Sequence, residues 1–264
     1  KVFHNPAADH GDVAWDAKGW FPNDELPVEI EAKRRFEAEH GLVTKPSNRK
    51  AWRAARKRAS GLLTAQTPPG HGRSGLRDEQ HKDGKNVRQV AKWLREAANG
   101  DKPFFITCGI QKPHVPFLAP DKYFEMYPQN GIEYQANPED DWEDIPETAL
   151  VKRSTAFGFE LGVENDSLRR EYMQAYHACI TFVDTQLNIV FDALKEKGLW
   201  DNTIIIFTSD HGYHLGEHYI WGKVTLFEEC ARVPLIVRVP GMTNAGSTTE
   251  ALVEHVDFFP TLME

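Results

Sequence analysis

Residues 172–208 place the tightest limit on what this chain can fold into. Tyr172, Tyr176, Cys179, Ile180, Val183, Leu187, Val190, Phe191 and Leu194 recur at helical spacing and share one face, with Gly198 as the stop. The run Thr203 to Phe207 follows at once, β-branched and apolar between polar neighbours, which is the pattern of a buried strand. A long one-faced helix leading straight into a strand must bury that face against the sheet the strand joins. Three further segments extend the pattern. Val87, Val90, Ala91, Leu94 and Ala98 predict a helix over 87–98 stopped by Gly100. Phe104 to Ile110 predicts a second buried strand, and a strand over 233–239 leads to a helix starting near 257. Strands alternating with helices predict an α/β fold: a mostly parallel central sheet with helices on both faces and the 203–208 strand at its centre.

Between these elements lie segments of another character. Residues 5–30 are rich in Pro, Gly, Asp and Trp without periodicity and read as an irregular surface loop. Residues 48–60 read as a basic helix carrying Arg49, Lys50, Arg53, Arg56, Lys57 and Arg58, a solvated face or a patch that attracts an anionic ligand. Residues 128–150, acidic and interrupted by Pro128, Pro138 and Pro146, read as a loop over one edge. At 264 residues and 41% hydrophobic, the chain is long enough to bury one large core. A net charge of −8 argues against a nucleic-acid partner, and no apolar run approaches the ~20 residues of a membrane span. Three cysteines, an odd count with two inside apolar elements, predict buried free thiols.

The chemistry concentrates where the 203–208 strand ends. Asp210 and His211 leave its carboxyl end, where open α/β sheets build their sites, and Gly212 releases the backbone into a sharp turn. A carboxylate beside an imidazole is suited to hold a metal ion. Lys223, beyond small-residue turns at Gly216 and Gly222, can return a cation to the same mouth. His114 lies between Pro113 and Pro116, which stiffen its backbone, and Lys112 stands beside it as a solvated cation within reach of substrate. Tyr213 follows these residues as a candidate wall of a substrate pocket at that mouth. His214-Leu-Gly-Glu-His218 spells a zinc peptidase signature, but that chemistry needs a helix, and Gly212 and Gly216 argue against one.

The stretch 203–223 resembles the sulfatases of the alkaline phosphatase superfamily, in particular the iduronate-2-sulfatase-like branch. Four other regions match in order: Lys1 to His4, Pro103 to Phe117, Tyr176 to Leu199, and the pair Arg232 to Gly241 and Val256 to Leu262. The resemblance implies that 1–264 is part of one sulfatase-like catalytic domain, incomplete at both ends. It implies Asp210 and His211 as ligands of a divalent ion, calcium by resemblance and zinc or manganese as alternatives. Lys223 would bind a sulfate oxygen, His114 would protonate the leaving group, and Lys1 and His4 would contact the nucleophile and its sulfate. That nucleophile is a formylglycine made from the first residue of Cys/Ser-x-Pro/Ala-x-Arg. None of Cys108, Cys179 and Cys230 begins such a motif. The chain is therefore expected to be an internal piece, with the formylglycine on an upstream portion of the same enzyme, in the same or a separate chain. The implied partner is a sulfated saccharide, the implied substrate a 2-O-sulfated uronate, and the implied location periplasmic, secreted or lysosomal. A phosphodiesterase, phosphonate hydrolase or phosphatase of the same superfamily, and a non-catalytic glycan-binding relative, are the alternative readings.

Overall fold

The computed structural model describes residues 22–24, 26–59, 70–134, 136–150, 166–242 and 244–264. Helices α1 (Pro27–His40) and α2 (Arg49–Ala59) pair with each other, and Arg56 Nε donates to Glu29 Oε2 at 2.8 Å across the pair. Strand β1 (His71–Arg73) precedes α3 (Lys82–Ala97). Strand β2 (Phe117–Ala119) and the single turn α4 (Asp121–Phe124) lead to α5 (Asp166–Glu196). Then come β3 (Ile205–Thr208), β4 (His214–Leu215), β5 (Trp221–Gly222), α6 (Glu228–Ala231), β6 (Leu235–Arg238) and α7 (Phe258–Met263).

Helix α5 is the spine. Its 31 residues extend about 46 Å at 1.5 Å per residue. Its first half packs with Phe117, Tyr123, Phe124 and Trp221 around the fully buried Tyr172 and Phe182. Its second half packs Val190, Ala193 and Leu194 against Val87, Val90, Ala91 and Leu94 of α3. Burial of a large aliphatic or aromatic side chain contributes roughly 1.5–3 kcal/mol, so this helix joins two clusters that each outweigh any single polar contact in the chain. Gly198 ends the helix region at φ 66°, the left-handed turn that glycine takes without penalty.

The α/β reading holds, and β1 and β2 form a parallel pair. The local pairing of β3 differs from expectation. Among the described residues its partner is β6, antiparallel, with Phe207 opposite Ile236. Its residues are half-buried rather than buried: Ile205 packs on the α3–α5 cluster while Ile204 is 51% exposed. A second difference concerns Phe104 to Ile110, which forms no ladder among the described residues. Phe104, Ile106, Cys108 and Ile110 nonetheless alternate onto the α3–α5 cluster while Phe105 faces out, so the period of a strand persists without its hydrogen bonds.

Two helix boundaries also move. α1 begins at Pro27, inside the stretch read as loop, because proline suits the first helical turn. Residues 5–20 of that stretch lie outside the described residues. α3 starts at Lys82, five residues before its apolar spacing becomes visible, because its first turn buries Asp83 and Gly84. A side chain at Gly84 would meet the Asp78 carbonyl at 1.8 Å, so glycine is required there. The three thiols are free, and burial pushes Cys108 up to about 12 and Cys179 up to about 11. Among the described residues no helix is long and apolar enough to cross a membrane.

Candidate active site

The end of β3 brings Asp210, His211 and Lys223 together. His211 Nδ1 lies 2.7 Å from the Gly212 carbonyl, an acceptor, so Nδ1 carries the proton and Nε2 presents a lone pair. Lys223 Nζ donates to that Nε2 at 3.0 Å. Asp210 Oδ2 stands 3.8 Å from the same nitrogen, and its side chain is 53% exposed, open to a solute. Burial works against the Asp210 charge, but surrounding positive charge, the Lys223 ammonium included, and a backbone hydrogen bond hold the carboxyl below the usual aspartate range.

The turn that sets this geometry depends on Gly212. Its amide donates to the Cys230 carbonyl at 2.8 Å, and a Cβ there would lie 2.0 Å from the Glu229 carbonyl oxygen. Ser209 Oγ donates to the His211 carbonyl at 2.9 Å and closes the other side. Lys223 follows β5, which pairs with β4, and the residue after it, Val224, sits at φ 74°. A β-branched residue in that region is strained by about 1–2 kcal/mol, and here it directs the chain away from the lysine.

The 214–219 turn is anchored from outside by the acidic loop. Asn137 Nδ2 donates to the Gly216 carbonyl at 2.6 Å, Trp142 Nε1 to the His218 carbonyl at 2.8 Å, and His218 Nδ1 meets Asp141 Oδ2 at 3.0 Å. His214 is fully buried with Nε2 2.8 Å from Thr225 Oγ1. These two histidines thus have structural partners, and no α-helix carries them: His214 lies in β4 and His218 in a single 3-10 turn whose backbone is left-handed at that residue. The zinc peptidase reading fails on both counts.

His114 occupies a loop that runs beside the His211 turn: the Phe117 ring stands 5.7 Å from the Tyr213 ring, edge to face. The His114 amide donates to the Gln111 carbonyl at 2.9 Å, and Nδ1 lies 2.7 Å from the Val115 carbonyl. Both proline bonds of the loop, Lys112–Pro113 and Val115–Pro116, are cis. Lys112 corrects the expectation of a solvated, substrate-facing cation. It is buried, and Nζ donates to the carbonyls of Pro116 and, at 3.5 Å, His114. Tyr213 corrects the expectation of a pocket wall. It packs inward against Phe117 and Tyr176 with its hydroxyl buried, because an aromatic ring between Gly212 and a buried strand has the core as its nearest apolar surface. Lys1 and His4 lie outside the described residues.

One residue of this region carried no signal in the sequence. Asp83, in the first turn of α3, accepts the amides of Gln111 and Lys112 at 2.9 and 2.8 Å. An acid at a helix start reads only as a companion of the helix dipole, and no local pattern links it to a loop so far along the chain.

As for a metal, the donor set fits in kind. The fixed tautomer of His211 exposes Nε2, the nitrogen a metal takes when Nδ1–H is bound to a carbonyl, and Asp210 adds a hard anionic oxygen. Among the described residues no third His, Cys, Asp or Glu completes a cluster, and calcium takes 6–8 oxygens, so these two are part of a set.

Comparison with known proteins places this chain in a family. The sulfatase family profile matches residues 23–264. A sulfatase of Formosa agariphila is 37% identical over 184 residues, 67% of this chain and 35% of the relative. Iduronate 2-sulfatase of Mus musculus is 33% identical over 68% of this chain and 39% of its own length. Among solved structures, a phosphonate monoester hydrolase of Agrobacterium radiobacter aligns over 84% of this chain and 43% of its own, with a TM-score of 0.57 and 26% identity. The chain spans little more than a third of the length of these curated relatives. With the family profile covering all but the first 22 residues, the chain belongs to the sulfatase family.

Proposed function

We propose that this chain supplies part of the active site of an enzyme that hydrolyses sulfate esters of a sulfated saccharide, with 2-O-sulfated uronates as the substrate class. The observation that carries the reading is the contact of Lys223 Nζ with His211 Nε2 beside the half-exposed Asp210. Three groups able to bind a cation and an anion thus share one strand end, and the similarity to a mouse iduronate 2-sulfatase supports the substrate class.

Asp210 and His211 would hold a divalent ion, calcium first, with zinc or manganese as alternatives. A bound ion would supply charge neutralisation at the sulfuryl group, and a formylglycine elsewhere in the enzyme would supply the nucleophile. Asp210 offsets the charge of the ion. Lys223 binds a sulfate oxygen once its Nζ leaves the imidazole. His114 protonates the departing alkoxide. Its Nδ1 proton is engaged by the Val115 carbonyl, so the transferred proton is the one on Nε2 and the acid form is the imidazolium. Lys1 and His4 are proposed to contact the nucleophile and the sulfate. The other proposed partner is the remaining portion of the same enzyme.

A second reading, phosphonate ester hydrolysis, has one observation in its favour, the fold shared with the Agrobacterium radiobacter phosphonate monoester hydrolase. The test is an assay of the full-length protein on a 2-O-sulfated uronate disaccharide, a nitrophenyl sulfate and a phenyl phosphonate monoester, with calcium, zinc or manganese. Preference for the sulfated disaccharide is expected. A kcat/KM that is highest on the phosphonate would overturn the proposal and establish the second reading.

A further inference from the structure

We infer that Asp83 and Lys112 form a buried clamp that positions His114, a role that rests on His114 being the proton donor only for its catalytic consequence. Asp83 is 1% exposed and Lys112 8%. Charged groups are rarely buried to this degree unless each is bonded at its charge, and here both spend that charge on one short loop. Asp83 takes the loop by its donors: Oδ1 accepts the Gln111 amide and Oδ2 the Lys112 amide, at 2.9 and 2.8 Å. Lys112 takes it by its acceptors, donating Nζ to the carbonyls of His114 and Pro116. His114 lies between the two grips. Asn86, one turn further along α3, holds the approach to the loop by donating to the Gly109 carbonyl at 3.0 Å.

This arrangement transmits the position of α3 to the imidazole. α3 is packed along α5, and Asp83 extends from its first turn. An ionised carboxylate accepting two amides makes charge-assisted bonds about twice as strong as neutral ones. Asparagine keeps the shape but turns one acceptor into a donor, which then faces an amide N–H. The loop must shift to relieve that conflict, and the His114 ring moves with it. Lys112→Met keeps the length and releases the carbonyl side alone. A misplacement near 1 Å costs about 10²-fold in rate when the displaced group takes part in the chemistry.

The experiment uses the full-length protein with D83N, K112M, H114A and D83N/H114A variants, two sulfate esters differing in leaving group, and spectra of 15N-labelled histidine. D83N is expected to lower kcat/KM about 10–100-fold on the sugar sulfate and only a few-fold on the nitrophenyl sulfate. D83N/H114A should be no slower than H114A. The His114 ring signals, identified by their loss in H114A, should shift in D83N. If D83N fails to fold, K112M carries the same readouts. Shifted His114 signals with no leaving-group dependence in either H114A or D83N would keep the clamp and discard His114 as the acid. Unshifted signals, or losses in D83N and H114A that multiply in the double variant, would overturn the clamp itself.

Discussion

The imidazoles of His114 and His211 are aimed by the same local device and held by different surroundings. In each, Nδ1 stands 2.7 Å from the carbonyl of the next residue. The His114 loop is then secured from beneath by buried charges, Asp83 on its amides and Lys112 on its carbonyls. Among the described residues no buried charge is seen bonded to the His211 turn. It is secured by close approach, with Gly212 against the Glu229–Cys230 backbone, and Asp210 is half-exposed beside Lys223 and His211. The difference matches the chemistry proposed for each. A proton donor has to keep one direction, which a rigid loop provides. Groups that take up an ion and an anion have to exchange partners, and Lys223 contacts a neighbouring nitrogen that a cation would also seek.

The comparison breaks most readily at its outward-facing side. Asp210→Ala in the full-length protein should reduce turnover by about 10³-fold or more, the scale of losing a preorganised charge-stabilising group, with metal content falling in parallel. Retained metal with lost turnover would show that Asp210 serves substrate and not the ion. On the clamped side, His114→Ala should cost about 10²–10⁴-fold on a sugar sulfate and far less on a nitrophenyl sulfate, with metal content unchanged.

Stability measurements sharpen the same contrast. Gly212→Ala forces a Cβ into the Glu229 carbonyl and should destabilise by about 1–3 kcal/mol, lowering the melting temperature. An unchanged melting temperature would mean that the turn does not hold the chain that closely.

The smallest effect concerns pH. The Asp210 carboxyl is depressed in the folded state, so the stability it adds is present above the ordinary aspartate pKa and is lost as pH falls through the folded value. In chelator-treated protein the melting temperatures of wild type and Asp210→Asn should therefore differ near neutrality and converge in acid. A gap that widens on acidification would mean that the surroundings of Asp210 do not stabilise the ionised carboxylate.

Much of this was legible from residue order alone, for a definable reason. The α5 face apart from Ile180, which is exposed, the β3 run, the Asp210-His211-Gly212 turn and the basic helix α2 are patterns carried by neighbours in sequence. The free thiols followed from an odd count inside apolar elements. Tertiary structure alone decided where polar side chains went. Lys112 reads as an exposed cation until the carbonyls of His114 and Pro116 are seen around it, and Tyr213 as a pocket wall until Phe117 and Tyr176 are seen to enclose it. Asp83 reads as a helix-start acid until the loop folds over it. Apolar spacing encodes which face of an element is buried, because burial is non-directional and averages over many residues. A hydrogen bond joins two particular atoms far apart in the chain, and only the fold brings them within 3 Å.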